Sequence, residues 1–394
     1  MPHPDRHEAE ASAMRRALQL AALGPATGPN PRVGCVLLGP DGRVLAEGHH
    51  RGAGTAHAEA AALADLAARG GDATGCTAVV TLEPCTHTGR TGPCAQALLA
   101  AGVTRVVVAE LDPNPTAAGG AHLLRTAGVD VEVGLLADAA RALNERWATA
   151  VARDRPWVTW KFAATLDGRS AAADGTSRWI TSAPARADVH RLRVGHDAVL
   201  VGTGTALADD PSLTVRAPDG TGEGSNPQPL RVVAGLRELP AGARLRDGRA
   251  ELLHVRTRDP HEVLTALAAR EVRTVLLEGG PALAAAFARA GLVDEVVAYL
   301  APALLGAGPA AVADLGVTGI ADALRLDLAP GPDAVLRVGG DVRVTARPRT
   351  PTAPPRPSTT EPSTTEPSTT EPSTTEPTTS TPHVEEVARV HRDR

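Results

Sequence analysis

The sequence predicts an α/β fold in two layered domains, and three observations lead there. Helical and strand patterns alternate along most of the chain, the arrangement expected of helices packed on a sheet. At 394 residues the chain exceeds the size at which one core keeps growing, so about two domains are expected. Pro156 interrupts the pattern, after which the alternation restarts.

The first domain opens with a helix: "EASAMRRALQLAALG" sets Met14, Leu18 and Ala21 at helical spacing and stops at Gly24. "VGCVLLGPDGRVLAEGHH" reads as a hairpin, two apolar runs around Pro40, Asp41 and Gly42. "HAEAAALADLAARGG" is a helix, "CTAVVTL" a strand, "CAQALLAAGV" a helix ending at Gly102 and "RVVVAEL" a strand. "DVEVGLL" is a further short strand, and "ADAARALNERWATAVARD" a helix that connects to the second domain. The domain boundary is placed near Ala152, giving domains 1–151 and 152–347.

The second domain opens with the strand "WVTWKFAATLDG" and the helix "PARADVHRLRVG". "DAVLVGTGTALADD" is a strand running into a glycine-containing turn and a helix. "LRVVAGL", "AELLHV", "TVLLEGG" and "EVVAYLAPALLG" supply further strands, with "EVLTALAAR" and "ALAAAFARAG" as helices between them. After Arg347 a five-residue unit of Pro, Ser, Thr and Glu repeats. It holds no apolar residue larger than proline, so burial cannot offset the entropy of ordering, and residues 348–394 are expected to be a disordered tail. An interaction or modification segment is the alternative reading of that tail.

Composition narrows the function. Aromatic residues make up 2% of the chain, so the core must be built from Ala, Val and Leu, and the net charge of -5 gives nucleic-acid binding no electrostatic support. No stretch approaches the roughly 18 unbroken apolar residues of a membrane span. The acidic, histidine-containing start does not resemble a signal peptide, so the expected compartment is the cytoplasm, where thiols stay reduced. Of the four cysteines, Cys35 and Cys76 sit in apolar strand contexts and read as small buried residues. Cys85 and Cys94, close together in "TLEPCTHTGRTGPC", could form a disulfide, hold a metal or fill a core; a reduced compartment favours the metal.

His57-Ala58-Glu59 begins a predicted helix, Cys85 lies just past the end of a strand, and Cys94 opens the next helix. A thiolate at a helix start is stabilised by the dipole and by free N–H groups. One imidazole and two thiolates, from His57, Cys85 and Cys94, supply three ligands to Zn²⁺ and leave the fourth tetrahedral position open for water. Glu59 is close enough to contact that water without binding the metal. The pattern H-x-E…P-C-x-x-C of zinc deaminases assigns these same roles, with the glutamate moving protons. The spacing departs from it, because eight residues rather than two separate the cysteines. In the intervening loop His87 is either a rival ligand or a donor to an anionic substrate, and Arg90 is a further donor suited to phosphate.

"GPNPRVGC", "HAE", "TLEPCTHTGRTGPC" and "DPNP", in this order, resemble the deaminase half of the bifunctional riboflavin-biosynthesis deaminase/reductases. The wide cysteine gap is that family's own form of the zinc motif. "KFAATLDGRSAAADGTSRWITS", "LADDPSLTVR" and "LLEGGPALAAAF" resemble its reductase half, so the similarity covers about residues 10 to 347. The resemblance implies a cytidine-deaminase-like α/β/α domain and then a dihydrofolate-reductase-like α/β domain. It implies zinc-dependent removal of the 2-amino group of 2,5-diamino-6-ribosylamino-4(3H)-pyrimidinone 5′-phosphate, then reduction of the ribosyl group to ribityl with NADPH. The partners expected are this small-molecule pyrimidine ribosyl phosphate and a second copy of the chain in a homo-oligomer, with neither nucleic acid nor membrane.

By the same resemblance Ala163, Trp179, Thr205, Asp209 and the run Gly280, Pro281, Ala282, Leu283, Ala284, Ala285 and Ala286 match positions that bind NADPH. Lys161, Ser177, Arg193, Leu213, Arg216 and Glu278 match positions at the substrate. The chemistry is compatible: Arg193 and Arg216 can hold a phosphate, and Glu278 can accept bonds from ribose hydroxyls. Lys161 is the chain's only lysine. Read as pattern alone, the second half says less. "GTGTALAD" lacks the third glycine of a dinucleotide loop, and "EGGPALAAA" is either a phosphate-receiving helix start or a tight strand–helix turn. Ala234-Gly235 stands where many relatives carry Asp or Ser, which leaves the choice between NADPH and NADH open. Two rival readings remain, a deaminase whose second domain only aids assembly and a zinc-stabilised binding scaffold. The scaffold gives Glu59 no use.

Overall fold

Alternating apolar residues on short buried strands build two sheets in the structure, a computed structural model that describes residues 4–87, 92–216 and 228–349. The first sheet has the order β2-β1-β3-β4-β5, with β1 (Gly34–Leu38), β2 (Val44–His49), β3 (Thr77–Val80), β4 (Arg105–Val108) and β5 (Asp130–Val133). β1 pairs antiparallel with β2 and β3, while β3, β4 and β5 run parallel. Strand side chains alternate between faces, so Cys35 and Leu37 point to one side of β1 and Val36 and Leu38 to the other. The first pair packs with Ala62 and Leu66 of α2 (Ala58–Ala68), Leu98 of α3 (Cys94–Ala100) and Leu124 of α4 (Gly120–Thr126). The second pair packs with Met14 and Ala17 of α1 (Pro4–Ala21) and Ala140 of α5 (Ala137–Ala152). The result is the expected α/β/α sandwich.

The second sheet begins with β6 (Trp157–Thr165) at its centre and has the order β12-β14-β11-β6-β10-β7-β8-β9. The parallel part comprises β11 (Glu295–Ala301), β6, β10 (Thr274–Leu277), β7 (Ala198–Gly202), β8 (Leu230–Ala234) and β9 (Leu252–Val255). β12 (Leu326–Leu328), β13 (Val335–Val338) and β14 (Asp341–Pro348) extend it antiparallel, β13 pairing with β14. α8 (Pro260–Ala268) and α9 (Pro281–Arg289) cover one face through Val263, Leu267 and Phe287. α6 (Ala183–Val194) and α7 (Thr203–Asp209) cover the other through Ala185 and Ala206. Tyr299, buried beneath α6, donates its hydroxyl to Asp188.

Every strand and helix expected from the sequence forms, with ends shifted by a few residues. The helix α4 and the strands β12 to β14 are additions that the pattern does not announce, and β14 runs to Pro348. Arg90 and the repeat tail from Thr350 onward lie outside the described residues.

Candidate active sites

His57, Cys85 and Cys94 converge although they come from three elements. His57 is the N-cap of α2, Cys85 lies in the loop beyond β3, and Cys94 is the first residue of α3. Their donor atoms all lie within 4.8 Å of one another. His57 Nδ1 is 3.5 Å from Cys85 Sγ and 3.3 Å from Cys94 Sγ. A tetrahedral zinc with bonds of about 2.3 Å to sulfur and about 2.0 Å to nitrogen holds such N and S ligands about 3.5 Å apart. The donor set and its spacing therefore fit that ion. All four cysteines are free and buried; Cys35 and Cys76 are core residues, as expected.

The hydrogen bond from Cys94 pulls the Cys85 thiol down to about 4 and pushes the Cys94 thiol up. The contact with Cys85 raises His57. Glu59, in the first turn of α2, is 3% exposed, and burial raises its carboxyl to about 7. A carboxyl near neutrality both accepts and gives up a proton readily.

His57, Glu59 and Cys85 line a cavity of about 140 Å³ whose wall also carries His87, Asn30, Asp112, Asn114 and Trp147. The two cavity-lining asparagines are missing from the sequence-based site, although each sits in a Pro-Asn-Pro tripeptide, at 29–31 and 113–115, and that duplication is the available signal. His50 donates from Nδ1 to the Ala56 carbonyl (3.1 Å), so its Nε2 accepts from Asn30 Nδ2 (2.9 Å). This orientation leaves Asn30 Oδ1 for the cavity. Glu83 is buried and acts on the backbone: its carboxylate accepts from the N–H groups of Asp112 (3.1 Å), Gly119 (3.1 Å) and Ala121 (2.9 Å). It thereby ties the Asp112–Asn114 loop and the start of α4 to the Cys85 segment. Burial raises Asp112 to about 6.

The second site is a cleft of about 980 Å³ at the carboxyl ends of the parallel strands. Lys161, Ala163, Ser177, Thr205, Asp209 and Glu278 line it, as do Gly280, Pro281, Ala282, Leu283 and Ala286. Ala284 and Ala285 face the core, and Leu213 is buried beside Leu239 and Leu245. Trp179 is 69% exposed, its ring stacked by the Arg186 guanidinium at 4.2 Å. Arg193 is not free for phosphate. It grips Glu278 through two bonds (2.6 and 3.0 Å) and donates to the Thr214 carbonyl (2.9 Å). Burial pushes Glu278 up, but Arg193 and Lys161 outweigh it and hold the carboxyl at about 2. Burial lowers Lys161. Arg216 is exposed, and its N–H reaches His190 Nδ1 at 3.4 Å. The Gly280 N–H is taken by Thr205 Oγ1 (2.9 Å) and Pro281 has none, so α9 offers a phosphate fewer donors than its sequence suggests.

Comparison with known proteins finds matches to both halves of the chain. The family model for the cytidine and deoxycytidylate deaminase zinc-binding region matches residues 7–110, and that for the RibD C-terminal domain matches residues 156–330. The chain is similar to the riboflavin biosynthesis protein RibD of Mycobacterium tuberculosis, at 49% identity over 318 residues, covering 80% of this chain and 90% of that one. It is 40% identical to the Escherichia coli RibD over 364 residues, covering 83% and 98%. Among solved structures, Acinetobacter baumannii RibD superposes with a TM-score of 0.77 at 37% identity, covering 87% of this chain and 99% of that one. A Thermotoga maritima diaminohydroxyphosphoribosylaminopyrimidine deaminase/5-amino-6-(5-phosphoribosylamino)uracil reductase does so at 0.76 and 31% identity, with the same coverage.

Proposed function

Because the chain belongs to the RibD family of bifunctional riboflavin-biosynthesis deaminase/reductases, we propose that its two sites act in succession on one pyrimidine. The cavity lined by His57, Glu59 and Cys85 removes the 2-amino group of 2,5-diamino-6-ribosylamino-4(3H)-pyrimidinone 5′-phosphate. The Lys161–Glu278 cleft then reduces the ribosyl group to ribityl with NADPH. The observation that carries the reading is the triad of donors at zinc spacing beside a buried Glu59, in the same chain as the long cleft.

Zinc held by His57, Cys85 and Cys94 supplies a Lewis acid that makes water nucleophilic at neutral pH. Glu59 accepts a proton from the attacking water on its carboxylate and returns it to the departing nitrogen, so water adds and ammonia leaves with no net change in protons. Asn30, Asp112 and Asn114, on the cavity wall, would orient the ring, and His87, on the same wall, would meet the polar end of the substrate. In the cleft, Arg193 keeps Glu278 ionised so that it accepts from the ribosyl hydroxyls. Lys161, whose proton is loosened by burial, lines the same cleft and would hold a proton at Nζ for the sugar oxygen released on reduction, for which bound NADPH would supply the hydride.

Support for NADPH rather than NADH comes from the far end of the cleft. Ala234 and Gly235 present no acid there, whereas Arg237 and Arg258 line it without a carboxylate partner among the described residues. Such a pair suits a 2′-phosphate. Among the described residues no helix is long and apolar enough to cross a membrane; we place the protein in the cytoplasm, where the two thiols stay reduced.

The test is a coupled assay on the diaminopyrimidine phosphate that tracks ammonia release and NADPH absorbance separately. Glu59→Gln should abolish ammonia release while bound zinc and reduction of the already deaminated substrate persist. Full deamination by that variant would remove Glu59 from the mechanism. An unsubstituted chain that released ammonia yet never consumed NADPH would reduce the second domain to an assembly role.

A further inference from the structure

The loop between α1 and β1 brings Asn30 to the deaminase cavity, and part of what holds it comes from the other half of the molecule. Pro29 and Pro31 have no N–H, so Gly28, Asn30 and Arg32 supply the donors of segment 28–32. On one side α5 supports the segment. Asn144 exchanges two bonds with the Arg32 backbone (2.9 and 2.8 Å), and Trp147 Nε1 donates to the Pro29 carbonyl (2.8 Å). On the other side the Gly28 N–H donates to Asp197 Oδ1 at 2.5 Å. Asp197 immediately precedes β7 of the second sheet. Its other oxygen accepts from the Arg273 N–H (2.9 Å), the Thr274 N–H (2.8 Å) and the Thr274 hydroxyl (3.0 Å) at the start of β10. Gly28 has φ 109°, a backbone state that side-chain-bearing residues rarely adopt, so this bond is made by a residue suited to turning there.

We propose that Asp197 is a positioning residue for deamination: the reductase half braces the loop that presents Asn30, so the first site is complete only when the second domain is attached. The inference rests on the His57–Glu59 cavity being the deaminase site. Asp197 lies at the amino end of β7, whereas the cofactor cleft lies at the carboxyl ends, so the residue takes no part in hydride transfer. A carboxylate bound to four donors is held in one orientation, and it transmits that orientation to Gly28.

Asp197→Asn in the full chain separates bracing from folding. The asparagine oxygen can keep the three donors at β10, which turns its NH₂ group onto the Gly28 N–H, so the strand cap survives and the loop contact does not. The expected result is a loss of about tenfold in kcat/KM for ammonia release, the weight of one hydrogen bond to a charged acceptor, carried mainly by a higher KM. Zinc content and reduction of the deaminated substrate should be unchanged. Equal loss of both activities, or loss of zinc, would make Asp197 a merely structural residue. Unchanged deamination would mean that α5 alone holds the loop; either outcome overturns the proposal. An unsubstituted chain that releases no ammonia would instead overturn the function itself, and the positioning role with it.

Discussion

Glu59 and Glu83 are both buried carboxyls beside one cavity, and their surroundings give them different work. Glu83 spends its oxygens on three backbone N–H groups and so fixes loops, whereas Glu59 faces the thiols and the cavity. The same reasoning applied to the long cleft singles out Arg237 and Arg258, which have no acid to neutralise them among the described residues. Replacing both by alanine should weaken binding of 2′,5′-ADP by about tenfold or more, since charge-assisted bonds to phosphate are lost. Affinity for 5′-ADP should hold. Calorimetric titration of the two nucleotides checks this without turnover, and equal weakening of both would count against a 2′-phosphate subsite. The cluster of His57, Cys85 and Cys94 is legible in the sequence because two of its members sit at the starts of recognisable helices and the third follows the end of a strand. Asn30, Trp147 and Asp197 are not, because each draws its meaning from partners distant in sequence, such as Gly28 for Asp197.

Among the elements, α2 carries both His57 and Glu59, and its seat on β2 decides where they point. A Cβ at Gly48 would lie 2.3 Å from the Ala58 carbonyl oxygen and 2.4 Å from the Ala62 nitrogen, so β2 and α2 touch backbone to backbone. Gly48→Ala must push the helix outward, an overpacking that costs about 1–3 kcal/mol. The expected outcome is a lower Tm together with weaker zinc retention against a chelator. A variant that lost stability but held zinc as before would show that the triad moves independently of the α2 seat. Alternation of long apolar patterns makes most of both sheets readable from the sequence. α4 escapes because it is short and begins at Gly119-Gly120, which reads as a turn, yet there the absence of a side chain is what allows contact: a Cβ on Gly120 would fall 1.7 Å from the Pro84 oxygen. β12 and β13 escape for the opposite reason, since largely exposed strands lack the buried face that imposes a pattern of two.

Across the whole molecule α5 is fastened to the second sheet by ion pairs, Arg146 to Glu295 (2.8 Å), Glu145 to Arg347 (2.7 Å), and Arg153 to Asp294 (2.6 Å). Behind Glu295, the hydroxyl of Thr159 links it to His196, which is 2% exposed. Burial lowers His196 from its ordinary 6.5 to about 3, and burial beside Arg193 and Arg216 lowers His190 to about 4. The unfolded chain therefore binds these protons first as the pH falls. The stability they contribute is complete above about pH 6.5 and is lost progressively toward about pH 3 to 4. The Tm should drop between about pH 7 and about pH 5, and His196→Gln should flatten that slope even though it lowers the Tm at neutral pH. An unchanged slope would assign the acid sensitivity to other groups.

The central place of β6 also bears on the order of events during synthesis. Its register pairs Trp157 with Thr274 and Thr159 with Glu295, partners that leave the ribosome long after it does. The first sheet, by contrast, has all its strands once Val133 has emerged. Non-local pairing is slow, and domains form in the order in which they are made. The nascent chain thus has His57, Cys85 and Cys94 in place for assembly while β6 still waits for neighbours, and the bond from Gly28 to Asp197 can close only later.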